Sequence, residues 1–160
     1  KSEPKRAPCQ IAEVIDDCLG FIEADARKRH VHIDCEIPPL PDVLADRLML
    51  EQVLLNLIRN GMEAMSEVAE SQRRLAISFT RHDSELEIQV SDQGCGIAPE
   101  LADKLFTAFF TTKPEGMGIG LSICRSIIEF HRGRLWADDN LQSTTGSGTI
   151  FHITLPMEST

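Results

Sequence analysis

The chain has 160 residues, 42% of them apolar and 26% charged. That is enough to close one hydrophobic core, and it excludes disordered and fibrous classes. A formal net charge of −9 disfavours nucleic acid as a partner, because duplex binding is led by clustered Lys and Arg neutralising phosphates.

The first residue is Lys1 rather than Met, and KSEPKRAPC has neither an apolar core nor a small-residue cleavage site. A secretory signal is therefore not expected, and the chain reads as a piece of a longer protein. Residues 1–9 are read as a linker from an upstream domain and 10–160 as one folded domain. No apolar run approaches the roughly 18–20 residues needed to cross a bilayer, so direct membrane contact is not expected. Cys9, Cys18, Cys35, Cys95 and Cys124 form no CxxC pair, and an odd, scattered set suits reduced thiols in the cytosol. Whether the parent is membrane-anchored is left open. His30 and His32, two apart, share a strand face with Cys35 close by in sequence, but a solvated or packed strand is the better reading than a metal site.

In chain order, residues 10–29 form an amphipathic helix through Ile11, Val14, Ile15, Leu19 and Ile22. Val31, Ile33, Cys35 and Ile37 alternate as a strand, and a short strand follows near 42–45. Asp46 caps a second helix over about 47–66. Its apolar side carries Leu50, Leu54, Leu57, Ile58 and Met65, while Gln52, Asn56, Asn60 and Glu63 share one polar face. Two strands come next, about 74–81 and 85–91, joined by the turn His82–Asp83–Ser84. Pro99 opens a short helix to about 105. A third long helix, about 119–131, has Ile119, Ile123, Ile127 and Ile128 toward the core and ends at a C-cap glycine, Gly133. Strands at about 134–138 and 148–155 close an α/β (α+β) fold, a two-layer sandwich with helices on one face of a mixed sheet.

Three segments carry chemistry. Asn56 and Asn60 stand one helical turn apart, and carboxamide oxygens are hard ligands suited to Mg²⁺, although an exposed polar face has the same pattern. Asp92 leaves the apolar strand into a loop with Gly94 and Gly96. There glycine permits positive φ and close approach to a ligand, though Asp and Gly are also ordinary turn residues. A carboxylate in a base pocket would accept the amine of adenine and face the carbonyl of guanine unfavourably. Gly116, Gly118 and Gly120 alternate directly into a helix, with Leu121 next, a geometry that gathers amides and a helix N-terminus around polyphosphate. No strand precedes them and no GxxxxGK[ST] occurs, so the dinucleotide and P-loop fingerprints both fail.

The order of these segments resembles the ATP-binding catalytic domain of sensor histidine kinases, within the superfamily shared with DNA gyrase, the Hsp90 chaperones and the MutL repair proteins. EQVLLNLIRNGMEAM is similar to its N box, SDQGCGI to its G1 box, LFTAFFTTK to its F box and GMGIGLSI to its G2 box. The short stretch between the last two looks most like the oxygen-sensing and nitrogen-regulatory branch. The resemblance implies a Bergerat fold with ATP and Mg²⁺ as ligands. It makes Asn60 the metal ligand, Asn56 its phosphate-side or metal-side partner, and Asp92 the reader of the adenine amine. Gly94 and Gly96 would shape the base pocket with Thr149 nearby. Gly116, Gly118, Gly120 and Leu121 would line the triphosphate, with Lys113 as a further phosphate contact. Phe106 and Phe109 would anchor a lid or pack in the core. The implied partners are a histidine-bearing dimerisation domain of the same protein and a response regulator.

Two departures stand out. Glu63 occupies a position where many relatives have a phosphate-touching Lys. None of His30, His32, His82, His131 or His152 sits in a phosphoacceptor context, an acidic residue followed shortly by Pro. Where the superfamily's hydrolases carry a water-activating Glu, this chain has Asn56, a poor base. That favours phosphoryl transfer to a separate histidine over ATP hydrolysis. A module that binds a partner helix without nucleotide is a third reading, weakened by the intact Asn60, Asp92 and glycine set.

Overall fold

The computed structural model describes residues 4–98, 104–106 and 119–157, the side chain of Ile119 excepted. In order they form β1 (Ala7–Cys9), α1 (Ile11–Lys28), β2 (His32–Cys35), β3 (Val43–Ala45), α2 (Arg47–Ala64), β4 (Arg74–Arg81), β5 (Glu85–Ser91), α3 (Ile119–Phe130), β6 (Leu135–Asp139) and β7 (Thr149–Pro156). The short helix expected from Pro99 lies almost wholly outside the described residues.

Five strands make one sheet in the order β2-β4-β5-β7-β6. β2 runs parallel to β4 and the other pairs are antiparallel, so the sheet is mixed, as the sequence pattern predicts. Alternation along β5 sends Leu86, Ile88 and Val90 into the core. There they meet the fully buried stripe Leu50, Leu54, Leu57 and Ile58 of α2. Each such side chain contributes about 1.5–3 kcal/mol on leaving water. α1 and α3 flank α2 on the same side of the sheet, giving the expected two layers.

Three local readings are corrected. Residues 7–9, assigned to a linker, form β1, which pairs antiparallel with β3 in a separate two-stranded ribbon. Three residues are too few to show a period, so the strand was invisible to pattern reading. On α3 the core residues are Cys124 and Ile128, whereas Ile123 is 36% exposed. Gly133 is not the left-handed residue at the end of α3. Arg132 takes that conformation with φ 65°, and the amides of Arg132 and Gly133 close back on Glu129 O and Ile128 O. Gly133 is needed for another reason: a Cβ there would stand 1.8 Å from Thr154 O.

Candidate functional site

α2 and α3 are tied together at both ends. Asp46 Oδ1 caps α2 by accepting from Met49 N, and Asp46 N donates to His131 Nε2 just beyond α3. His131 is 1% exposed and its Nδ1 donates to Ile127 O. Those two bonds fix one neutral tautomer, Nδ1 protonated and Nε2 accepting. Asp46 Oδ2 also accepts from Lys5 N. This bond is the largest of the influences that hold the Asp46 carboxyl below its ordinary range.

At the other end of the pair lie the amides singled out in the sequence. Asn56 and Asn60 are half-buried on α2, and Asn60 Nδ2 donates to Asn56 Oδ1 at 3.3 Å. α3 starts directly against them. A Cβ on Gly120 would sit 3.0 Å from Asn56 Nδ2 and 3.3 Å from Asn56 Oδ1, so the absent side chain keeps this contact open. Leu121 is half-buried and packs on the core. Gly116, Gly118, Lys113 and Phe109 lie outside the described residues. Phe106 packs edge-on against Phe151 with Arg125 over its ring, a packing role, which was one of the two readings of that residue.

Asp92 lies beneath this junction, 2% exposed. Its Oδ1 accepts from Gly94 N at 2.8 Å and Thr149 N at 3.2 Å, and its own amide donates to Thr149 O. Asp92 and Thr149 are thus brought together across β5 and β7. Two glycines permit close packing around this residue. A Cβ on Gly61 would meet Leu75 Cδ1 at 2.6 Å and Asp92 Oδ2 at 3.6 Å, and one on Gly94 would meet Ala64 O at 2.5 Å. The close approach of Gly94 is therefore to the end of α2, whereas Gly96 takes the positive φ of 74°. Beside this loop a solvent-open groove of about 450 Å³ runs past Ile97, Leu141 and Ser147.

Sequence reasoning missed Gly61, which reads as an unfavourable mid-helix glycine, and it missed Gln93 and Asn140. Gln93 is 7% exposed and bonds to Gln72 and Thr144, and Asn140 Nδ2 donates to Asp92 O. Among the described residues no group of three or more His, Cys, Asp or Glu could hold a metal ion. His32 is paired with Asp34 instead. The carboxamide donor set of Asn56 and Asn60 fits Mg²⁺, which takes few protein ligands and leans on substrate phosphates.

With the fold and this junction of helix, glycine and buried carboxylate described, comparison with known proteins gives the class. Residues 45–159 match the family described as histidine kinase-, DNA gyrase B-, and HSP90-like ATPase, and the chain belongs to that family. Several of its relatives there are named as sensor proteins. The chain is 41% identical over 98% of its length to the C4-dicarboxylate transport sensor protein DctS of Rhodobacter capsulatus. It is 42% identical over 98% of its length to the sensor protein FixL of Bradyrhizobium diazoefficiens. It spans only 23% and 30% of those two proteins. The catalytic domain of histidine kinase ThkA superimposes with a TM-score of 0.83 at 31% identity, covering 96% of both chains. Full-length ShkA in complex with AMPPNP gives 0.83 at 25% identity, covering 99% of this chain and 32% of that one. ThkA in complex with the response regulator protein TrrA gives 0.78 at 28%, covering 97% and 42%. The fold is that of histidine kinase catalytic domains.

Proposed function

We propose that this chain is the ATP-binding catalytic domain of a two-component sensor histidine kinase. It transfers the γ-phosphoryl group of ATP to a histidine on a separate dimerisation domain of the parent protein, from which a response regulator receives it. The observation that carries this reading is the junction of Asn56 and Asn60 with Gly120, beside buried Asp92. It gathers two carboxamides, the first turn of a helix and a buried carboxylate, which supports metal, phosphate and base contacts at one place.

Asn60 is the residue we assign to Mg²⁺, with Asn56 beside it on the phosphate side. When bound, the metal neutralises charge on the phosphates. The α3 N-terminus and Gly120, with Gly116, Gly118, Leu121 and Lys113, would cradle the triphosphate. Asp92 accepts the adenine amine, aligned by Gly94 N and Thr149 N, with Gly96 shaping the loop. Asn56 stands where a hydrolase would need a base, which supports transfer over hydrolysis. The domain takes in β1 as well as residues 10–160, and the segment before β1 would lead from the dimerisation domain. All five thiols are free, and no helix among the described residues is long and apolar enough to cross a membrane. The free thiols support a cytosolic placement.

The test is incubation with γ-labelled ATP, alone and with the parent's histidine-bearing domain, scored by acid-labile label. We expect label only on the added domain, and a loss of about tenfold or more with Asn60→Ala while the cooperative melt stays within about 1 kcal/mol. Multiple-turnover hydrolysis by the chain alone would overturn the kinase reading in favour of a hydrolase.

A further inference from the structure

Directly after Asp92 the chain buries a second polar side chain, and its bonds leave the strand altogether. Gln93 Nε2 donates to Gln72 O at 2.8 Å, while its Oε1 accepts from Thr144 N at 2.7 Å and Thr144 Oγ1 at 2.8 Å. A carbonyl can only accept and an amide N–H can only donate, so these partners admit one orientation of the carboxamide. The main chain around it is fastened to the same segment. Thr145 Oγ1 donates to Gln93 O at 3.2 Å, Ser147 Oγ to Gly94 O at 2.6 Å and Asn140 Nδ2 to Asp92 O at 2.7 Å. A Cβ on Gly148 would stand 2.3 Å from Asp92 O, so the 140–148 connection presses on the backbone of Asp92 itself. It is held there mainly by side chains, and the most deeply buried of them is Gln93.

Resting on the reading of Asp92 as the acceptor of the adenine amine, we infer that Gln93 is the positioning residue that sets base specificity. Its carboxamide clamps the Thr144 turn on one side and Gln72 on the other, and so fixes the depth and angle of the Asp92 carboxylate. Discrimination needs a direct bond. A carboxylate that meets the amine of adenine without intervening water rejects the carbonyl of guanine. A loosened carboxylate admits a bridging water, which can donate or accept and so serves either base. Loss of the clamp therefore erodes selectivity faster than affinity.

Calorimetric titration of the chain with Mg·ATP and Mg·GTP, in wild type, Gln93→Leu and Thr144→Val, tests this. We expect the ATP-over-GTP preference to fall about fivefold in Gln93→Leu and about twofold in Thr144→Val, which loses one of the clamp's hydrogen bonds. A purely structural role would weaken both nucleotides in proportion, and an unchanged ratio in both variants would overturn the inference. If Gln93→Leu does not fold, Thr144→Val decides alone, because its side chain is on the exposed turn and its ratio must still fall. Equal binding of ATP and GTP by the wild type would instead overturn the reading of Asp92 on which the inference rests, and the inference with it.

Discussion

Asp92 and Glu87 are both buried carboxylates of the β5 segment, 2% and 8% exposed, yet they are satisfied by different means. Asp92 accepts from two backbone amides, donors that carry no net charge and do not titrate. Glu87 lies on the sheet face away from the helices and accepts from side chains. His82 Nε2 is at 2.8 Å, His152 Nδ1 at 2.6 Å and Gln89 Nε2 at 2.7 Å. Trp136 stacks on His152 with ring centroids 4.7 Å apart. His152 Nε2 lies 3.0 Å from Asp138 Oδ2 but makes no hydrogen bond to it. A carboxylate oriented by backbone amides keeps its alignment whatever the charge of the side chains around it. One wrapped in imidazoles has its bonding capacity spent inside the protein. The comparison separates the carboxylate we propose to bind nucleotide from a structural one where burial alone would not.

The largest effect that can break this contrast is at Asp92. In Asp92→Asn the retained carbonyl can still accept from Gly94 N and Thr149 N, so the fold survives, but the other atom becomes a donor facing the adenine amine. ATP affinity should fall about 10–100-fold, and guanine nucleotides should lose less, since the new donor suits their carbonyl. Calorimetry on the folded variant measures both. An unchanged ATP affinity would mean that the carboxylate serves only groups of the protein itself, as Glu87 serves its ring of side chains.

Glu87→Gln gives the reciprocal test, with stability as the readout. Burial pushes the Glu87 carboxyl upward, but the bonds from His152, His82 and Gln89 outweigh it, and the group is held below its ordinary value of 4.5. A carboxyl depressed in the folded state contributes stability that is fully present above its unfolded pKa and is lost as pH falls through the folded one. Wild type should therefore lose this contribution below about pH 4.5, and Glu87→Gln should lack that part of the acid dependence. At neutral pH the variant should be less stable by about 1–3 kcal/mol with ATP affinity intact. Chemical denaturation at pH 7 and pH 4 measures both quantities. Equal acid sensitivity in the two proteins would show that Glu87 is not the titrating group.

What the amino-acid pattern revealed follows the same division between local and distant partners. The stripe of α2, the strand alternation and the glycine-rich motifs are all encoded within a few residues, and they point to the sheet, the helix layer and the candidates Asn56, Asn60 and Asp92, whereas Thr149 enters only through the family resemblance. The partners that orient those residues come from far along the chain. Gln93 reaches Thr144 across 51 residues and Asp46 reaches His131 across 85, and no periodicity reports such a pair. Glu87 shows the failure most clearly. Strand alternation places it outward, which reads as solvent, but the histidine of the adjacent β7 and that of the preceding turn close over it. Gly133 was assigned to the wrong cause for a related reason. The clash that excludes a side chain there is with β7 rather than within its own helix.

The smallest effect sharpens the contrast within the Glu87 cluster itself. Its two histidines are unequal, because the His152 side chain is 13% exposed and stacked on Trp136, whereas that of His82 is 48% exposed in the β4–β5 turn. Water competes for the outer bond and not for the inner one. His82→Ala should therefore cost about 0–1 kcal/mol, as exposed pairs do, and the cost should shrink in added salt to the extent that the imidazole is charged. His82 N still pairs with Glu85 O through the backbone, so the turn keeps its shape and ATP affinity should not change. A double-mutant cycle with Glu87→Gln isolates the pair from the loss of the ring. A coupling of about 2 kcal/mol or more would mean that His82 shields the carboxylate from water as fully as His152 does.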